Sequence, residues 1–439
     1  MKKLLALLLA LIMVLSFAAC GEGDEEEETS KRRKKDTETT SDTTEEIEET
    51  EEEEVEEDEK DEKKSPYTIF ESLDETILDD GNISLTIGQF EEGKWGGIAC
   101  QVEGENHTNQ TMSVTLQAVA VNGMMTSDYF FLDMEAKDEG ETEFSIYDTE
   151  DPGDLTRLSM FLRVTDEDYD SEYHLIEIYP QGKKAYKEDM PEKDGKDVLI
   201  DKKGVYVATQ ELVYREDWEP QQKYLAFNDS DEVVYLSLDP IAINGFGVTD
   251  FHSSYILPNT YVDRSVELYE YEDLLLLGMD DKITSLTLEV QLDDMDYETV
   301  LSDEITIYPE GKKNEKVFTY EPASDDVVVL ETNDFRLLQV NYTVDDWNDH
   351  TVTFVIENKS GKTLCFSSDD TKINGKDVDF LFFYCDATGG RDTFTSCDLY
   401  DSNMKESNIT KITSMEFTLE VWDEDYDDVY EGTVKFDVK

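Results

Sequence analysis

Carboxylates are the residues best placed to do chemistry, and they recur in one setting. Asp166-Glu167-Asp168-Tyr169-Asp170, Asp293-Asp294-Met295-Asp296-Tyr297 and Asp423-Glu424-Asp425-Tyr426-Asp427-Asp428 each follow an apolar, strand-like segment. Carboxylates that alternate along a hairpin loop are able to converge on a hard cation such as Ca²⁺. The candidate ligands are Asp166, Asp168, Asp170, Asp423, Asp425 and Asp427. The EF-hand pattern is not met: Ser171 stands at the sixth position of the first copy, where that loop needs Gly, and Val434 at the twelfth position of the third. In a chain with 107 acidic residues, solvated turns are the alternative reading of these clusters. No other cofactor is expected.

The remaining constellations argue against an enzyme. His107, His174, His252 and His350 are scattered and form no His-Glu-x-x-His or Cys/His pattern. Ser360-Gly361-Lys362-Thr363 looks like the end of a phosphate-binding loop, but Ile356 stands where the required Gly belongs, so it reads as a hairpin turn. No Gly-x-Ser-x-Gly elbow is present. Paired carboxylates are too numerous to point to a glycosidase. Trp95, Trp218 and Trp347 are sugar-stacking platforms if exposed; the expectation is that they lid a core. Cys385 and Cys397 flank Thr388-Gly389-Gly390-Arg391 symmetrically, so they are candidates for a disulfide across a hairpin. Cys100 and Cys365 lie in strand-like segments and read as small hydrophobes.

These residues must be positioned by elements whose address is written at the start of the chain. Met1-Lys2-Lys3 precedes an apolar run from Leu4 to Leu15, a charged start and a segment too short to span a bilayer comfortably, which reads as an export signal. It ends in Ser16-Phe17-Ala18-Ala19-Cys20-Gly21, which resembles the lipobox of bacterial lipoproteins, although Phe17 stands where that pattern usually has Leu. The resemblance implies that Cys20 is diacylated and becomes the anchor on the outer face of the cell membrane. An ordinary signal peptide cut after Ala18 or Ala19 is the alternative. Residues 22–64 hold 23 acidic and 8 basic residues and almost nothing apolar, so they cannot bury a core and read as a disordered, self-repelling linker. The basic block Lys31-Arg32-Arg33-Lys34-Lys35 reads as a solvated charge block or a headgroup contact. The formal net charge of −69 excludes a nucleic-acid partner.

Beyond Pro66 the sequence alternates apolar and polar residues with the period of half-buried strands. Three repeats cover residues 65–185, 196–314 and 324–439. Trp95, Trp218 and Trp347 are each followed, 26 or 27 residues on, by an Asn-Gly pair (Asn122-Gly123, Asn244-Gly245, Asn374-Gly375), which predicts a type I′ hairpin. Each repeat then has a strand, an acidic loop and a closing strand. About seven short strands in roughly 110 residues fit an immunoglobulin-like β-sandwich, with an up-and-down barrel as the second topology. At this point the chain resembles the tandem immunoglobulin-like repeats of Gram-positive surface lipoproteins, in segments such as Val355-Ile356-Glu357-Asn358-Lys359-Ser360-Gly361-Lys362 and the Asn374-Gly375 turn that follows.

The expected protein is therefore all-β: a signal peptide (1–19), the lipidated Cys20 with an acidic linker (20–64), and three tandem immunoglobulin-like β-sandwich domains. Its expected role is non-enzymatic, as a binding or spacer module with a protein or glycan ligand and the membrane as partners. A Ca²⁺-stabilised or glycan-binding adhesin is the alternative. A solute-binding lipoprotein serving a transporter needs α/β lobes, and the helical periodicity for these is absent.

Overall fold

The period-2 alternation becomes, in the computed structural model, strands that bury every second residue, as in Ile83–Ile87 and Ile98–Asn106. The structure describes residues 65–439 apart from 74, 188, 216, 217, 346 and 379–382. The expected signal segment, Cys20 and the acidic linker lie outside the described residues.

The chain lays down the same pair of sheets three times. In the first, Thr76–Asp79, Ile83–Ile87, Ile98–Asn106 and Glu139–Ile146 form one sheet. Phe131–Met134, Met112–Val121, Leu158–Asp166 and Ser171–Ile178 form the other, with Thr68–Phe70 added parallel at its edge. The second pairs Asp197–Lys202, Val205–Arg215, Trp218–Asn228 and Thr260–Glu267 in one sheet. Ser253–Ile256, Val234–Ile243, Leu286–Asp293 and Thr299–Ile307 make the other. The third pairs Val327–Glu331, Phe335–Val344, His350–Asn358 and Asp392–Leu399. Tyr384–Ala387, Leu364–Ile373, Ser414–Asp423 and Asp428–Asp437 complete it. The two sheets of each repeat face each other across a core, so the architecture is a β-sandwich and not the barrel.

Asparagine closes each sandwich in two places. Asn122, Asn244 and Asn374 take φ of 53°, 50° and 52°, and each is followed by a positive-φ glycine, as the I′ turn requires. The Oδ1 of Asn244 accepts from the Thr284 N–H (2.7 Å), the Thr284 hydroxyl (2.9 Å) and the Ser285 N–H (3.1 Å), and its Nδ2 donates to the Lys282 carbonyl (2.7 Å). Asn122 makes the same bonds to Thr156, Arg157 and Asp154, and Asn374 to Thr413, Ser414 and Lys411. A second set, Asn106, Asn228 and Asn358, is buried at the end of the strand that follows each Trp. Their Oδ1 atoms accept from the N–H and hydroxyl of Thr108, Ser230 and Ser360 two residues on.

The repeats are fused rather than strung. After the first Asn-Gly turn, Met124 pairs in parallel with Tyr261 of the second repeat; after the second, Gly247 pairs with Thr393 of the third. The second core consequently takes in Ala118, Ala120, Met125 and Phe161 from the first repeat and Leu338, Val340, Val355 and Phe394 from the third. At the first junction Arg157 and Glu177, each 5% exposed, form an ion pair at 2.7 Å. Tyr179 donates to the same Glu177 (2.6 Å), and Arg157 donates to the Tyr186 hydroxyl (3.2 Å) and the Asn259 carbonyl (3.1 Å).

Asn244→Ala leaves the Thr284 and Ser285 amides unpaired in a buried site and is expected to lower unfolding free energy by about 2–4 kcal/mol, whereas the solvent-facing Asn374→Ala loses about 1 kcal/mol, both read by urea unfolding. Arg157→Met strands the Glu177 carboxylate and is expected to destabilise by about 3–5 kcal/mol, with the paired Arg157→Met/Glu177→Leu variant recovering most of the loss.

Candidate functional site

The acidic loops turn their leading carboxylate inward. The Oδ1 of Asp166 accepts from the N–H groups of Asp168 (2.9 Å) and Asp170 (3.0 Å), and Asp423 does the same for Asp425 and Asp427 (both 3.0 Å). Asp294 repeats the arrangement with Asp296 and Glu298 in the second sandwich. The turn puts Tyr169, Tyr297 and Tyr426 at positive φ and exposes them. The leading carboxylate thus fixes the hairpin. In the third loop the Lys362 Nζ lies 2.6 Å from Asp423 and 2.8 Å from Asp425, and this hydrogen-bonded ammonium holds the Asp423 carboxyl below its usual range. Neither Asp166, Asp168 and Asp170 nor Asp423, Asp425 and Asp427 share one coordination shell. Among the described residues the group of three with ligand atoms within 4.8 Å of one another is Asp80, Glu172 and His174, two of them exposed.

The tryptophans overturn an expectation. Trp95, Trp218 and Trp347 do not lid a core; they are 77%, 68% and 80% exposed. The reason is local. Each sits at the start of a central strand or just before it, outside the inward alternation, and in the third repeat Asp345 accepts from the Trp347 and Asp349 N–H groups (2.8 Å each). The Lys94 ammonium lies 4.9 Å from the Trp95 ring centre, a cation–π contact that leaves much of the indole in solvent. Exposed indoles at equivalent hairpins offer flat apolar faces for stacking on a sugar ring or a partner's side chains.

The other candidates are absorbed by packing. Cys385 and Cys397 are buried free thiols, and they do not face each other across a hairpin: Tyr384–Ala387 and Asp392–Leu399 belong to opposed sheets. The chain crosses between sheets at the glycines that sequence symmetry reads as a hairpin tip. Cys100 is buried and Cys365 half-buried, also unpaired. Ser360 is held by Asn358, and Lys362 is spent on the acidic loop, so Ser360-Gly361-Lys362-Thr363 is a strand connection. His252 meets the Tyr224 hydroxyl at 2.9 Å, and burial lowers its pKa to about 4. His350 meets the Tyr342 hydroxyl at 2.6 Å.

Desolvated carboxylates are what sequence reasoning missed. Desolvation pushes Asp250 up to about 7, helped by repulsion from Asp239 and opposed by the N–H groups of Tyr269 and Glu270. Desolvation and the Asp250 charge push Glu270 up to about 8, although it accepts from the Thr249 N–H at 2.8 Å. Glu219 reaches about 7 through burial and then repulsion from Glu272 and Asp273. No local signal separates these three from the other acidic residues of the chain.

No family model matches the sequence, and no curated protein matches it. Among solved structures, the exo-β-D-glucosaminidase CsxA is similar at 11% identity and a TM-score of 0.18, over 52% of this chain and 26% of that one. Red sea bream transglutaminase is similar at 12% identity and a TM-score of 0.15, over 52% of this chain and 31% of that one. The chain therefore spans between a quarter and a third of the length of these enzymes.

Carboxyls with raised pKa bind protons more tightly folded than unfolded. Their stabilising contribution is present below the unfolded pKa near 4 and is lost as pH rises through 7 to 8. Lowering pH from about 8.5 to 6 is expected to raise the thermal midpoint by on the order of 5 °C, and Asp250→Asn with Glu270→Gln to flatten that dependence, as calorimetry would register.

Proposed function

We propose that the chain is a lipid-anchored, non-enzymatic protein of the outer face of a bacterial cell membrane, presenting three tandem immunoglobulin-like sandwiches to an extracellular partner. The observation that carries the binding role is the recurrence of one exposed indole per repeat, at Trp95, Trp218 and Trp347. Burying such a residue is favourable, so its exposure in every repeat fits a surface that becomes covered on contact. The immunoglobulin-like part rests on strand order. Each repeat's Asn-Gly turn, acidic loop and closing strand lie on one sheet, and the strands before and after the Trp lie on the other, as in a two-sheet antiparallel sandwich. The fused junctions suit presentation, since repeats that share a core hold their loops in fixed relation.

Of the partner classes, exposed tryptophan favours a glycan. Cation-dependent adhesion through the acidic loops has less support, because their leading carboxylates are engaged by backbone N–H groups. The membrane role rests on Cys20 and its neighbours in sequence.

Two measurements test the proposal. Growth with an alkynyl fatty acid is expected to label the chain, and Cys20→Ala to abolish the label and release the protein from the membrane. Insoluble chitin, cellulose and peptidoglycan are then offered to the full chain. Retention on at least one, reduced about tenfold or more by Trp95→Ala/Trp218→Ala/Trp347→Ala, supports glycan presentation; equal retention of the triple variant, or none by either protein, leaves the spacer role.

A further inference from the structure

At three aligned positions the two junctions carry opposite chemistry. At the first, Phe161 stacks on Tyr173 with ring centres 5.2 Å apart and meets Tyr255 edge-on at 5.5 Å, while standing opposite Ala118 in its own sheet. Strand register carries each position to the second junction. Leu158–Asp166 and Leu286–Asp293 are equivalent strands, so Glu289 takes the place of Phe161, and opposite it stands Asp239. Ser302 pairs with Gln291 as Tyr173 pairs with Arg163. Asp386 pairs with Cys365 as Tyr255 pairs with Tyr235. An aromatic plug has been replaced by two carboxylates and a hydroxyl, with a third carboxylate on the neighbouring strand.

The replacement opens a cleft of about 510 Å³ between the second and third repeats, lined by Asp239, Asp250, Glu289, Ser302, Glu304 and Asp386. Glu304 is neutralised by an ion pair with Arg391. The others gain no such cation. Asp250 is 8% exposed and its Oδ2 has no hydrogen-bond partner; across the cleft, the buried Oδ1 of Asp386 has none either. Buried anionic oxygens are normally satisfied, and two from different repeats on one cleft point to a cationic donor between them. Like charges facing across a strand pair, as Asp239 and Glu289 do, are destabilising without one.

The spread of the carboxylates selects the ligand. None of them belongs to a three-residue group with donor atoms within 4.8 Å, so a bare Ca²⁺ or Mg²⁺ would lack its coordination shell. A cavity of several hundred Å³ suits a small molecule. Pro240, Val248 and the exposed Phe251 add an apolar wall. We propose that this cleft binds a linear aliphatic polyamine, with separate ammonium groups donating to Asp250 and Asp386 and the methylene stem lying along Pro240, Val248 and Phe251.

Spermidine is the probe, titrated into the full chain by calorimetry at about 150 mM NaCl, where diffuse attraction to so acidic a protein is screened beyond ~8 Å. One saturable site per chain is expected, weakened tenfold or more by Asp250→Asn and by Asp386→Asn and unchanged by Asp168→Asn in an acidic loop. Because Asp250 is buried, Asp386→Tyr provides a second route: it restores the aromatic residue of the first junction and is expected to abolish the site while near-ultraviolet circular dichroism stays native. The proposal is overturned if spermidine binds no better than Mg²⁺ at matched ionic strength, if Asp168→Asn weakens binding as much as the cleft variants, or if the cleft variants bind normally.

Discussion

Everything in this molecule hangs on the asparagine that opens each Asn-Gly turn. Its backbone adopts the left-handed conformation that reverses the chain, and its side chain ties the turn to the residues leading into the next long strand. A turn held this way cannot drift, and its position matters twice over. The strand leaving it continues out of its own sandwich to meet the next, through Met124 and Tyr261 at one junction and Gly247 and Thr393 at the other. The second contact is close: a Cβ at Gly247 would lie 2.9 Å from the Thr393 Cβ, so a side chain there would push the repeats apart. One local hydrogen-bond pattern therefore specifies both the closure of a repeat and its docking to the following one.

The outward edges of the first and third repeats are built differently from the two junctions. The docking segments Met124–Thr126 and Phe246–Gly247 are largely buried, whereas their counterpart in the third repeat, Lys376–Asp377, is exposed and charged. At the other end, the strand Glu139–Ile146 that would receive a preceding repeat carries Glu139, Glu141 and Glu143. Its equivalents in the later repeats meet the preceding repeat at Tyr261 and at the buried Thr393. Charge on these edges discourages strand addition there. A chain with matching apolar ends would instead join head to tail without closing.

Much of this was legible in the sequence, for physical reasons. Strand alternation reports which face is buried, so the sandwich class followed from it, and Asn-Gly reports a backbone conformation few other residues tolerate. What escaped was whatever depends on where two distant segments meet. The symmetric spacing of Cys385 and Cys397 suggested a hairpin, but the chain between them crosses from one sheet to the other. Trp95, Trp218 and Trp347 looked like core residues because large aromatic side chains usually are, yet they fall at the start of a strand or just before it, outside the alternation. The acidic loops looked like ligand sets because side-chain type was visible and side-chain direction was not. Asp250 and Glu270 were indistinguishable from solvated acids until the second and third repeats were in place.

The contrast between the junctions gives the chain's acidity two meanings. Over most of the surface, carboxylates face water and set solubility and long-range repulsion, and single substitutions there change little. At the first junction one carboxylate, Glu177, is buried with a guanidinium and two hydroxyl-bearing neighbours around it, so the interface is closed by both packing and charge. At the second, desolvation raises the pKa of Asp239, Asp250 and Glu270, and Asp239 stands where the first junction carries Ala118. Burying charge in this way works against stability, and the surrounding apolar core must carry the difference. A fold that already contains a tight, dry solution to the same docking problem therefore holds a looser and more polar one beside it, and the second junction is where its geometry is most open to a bound cation or to pH.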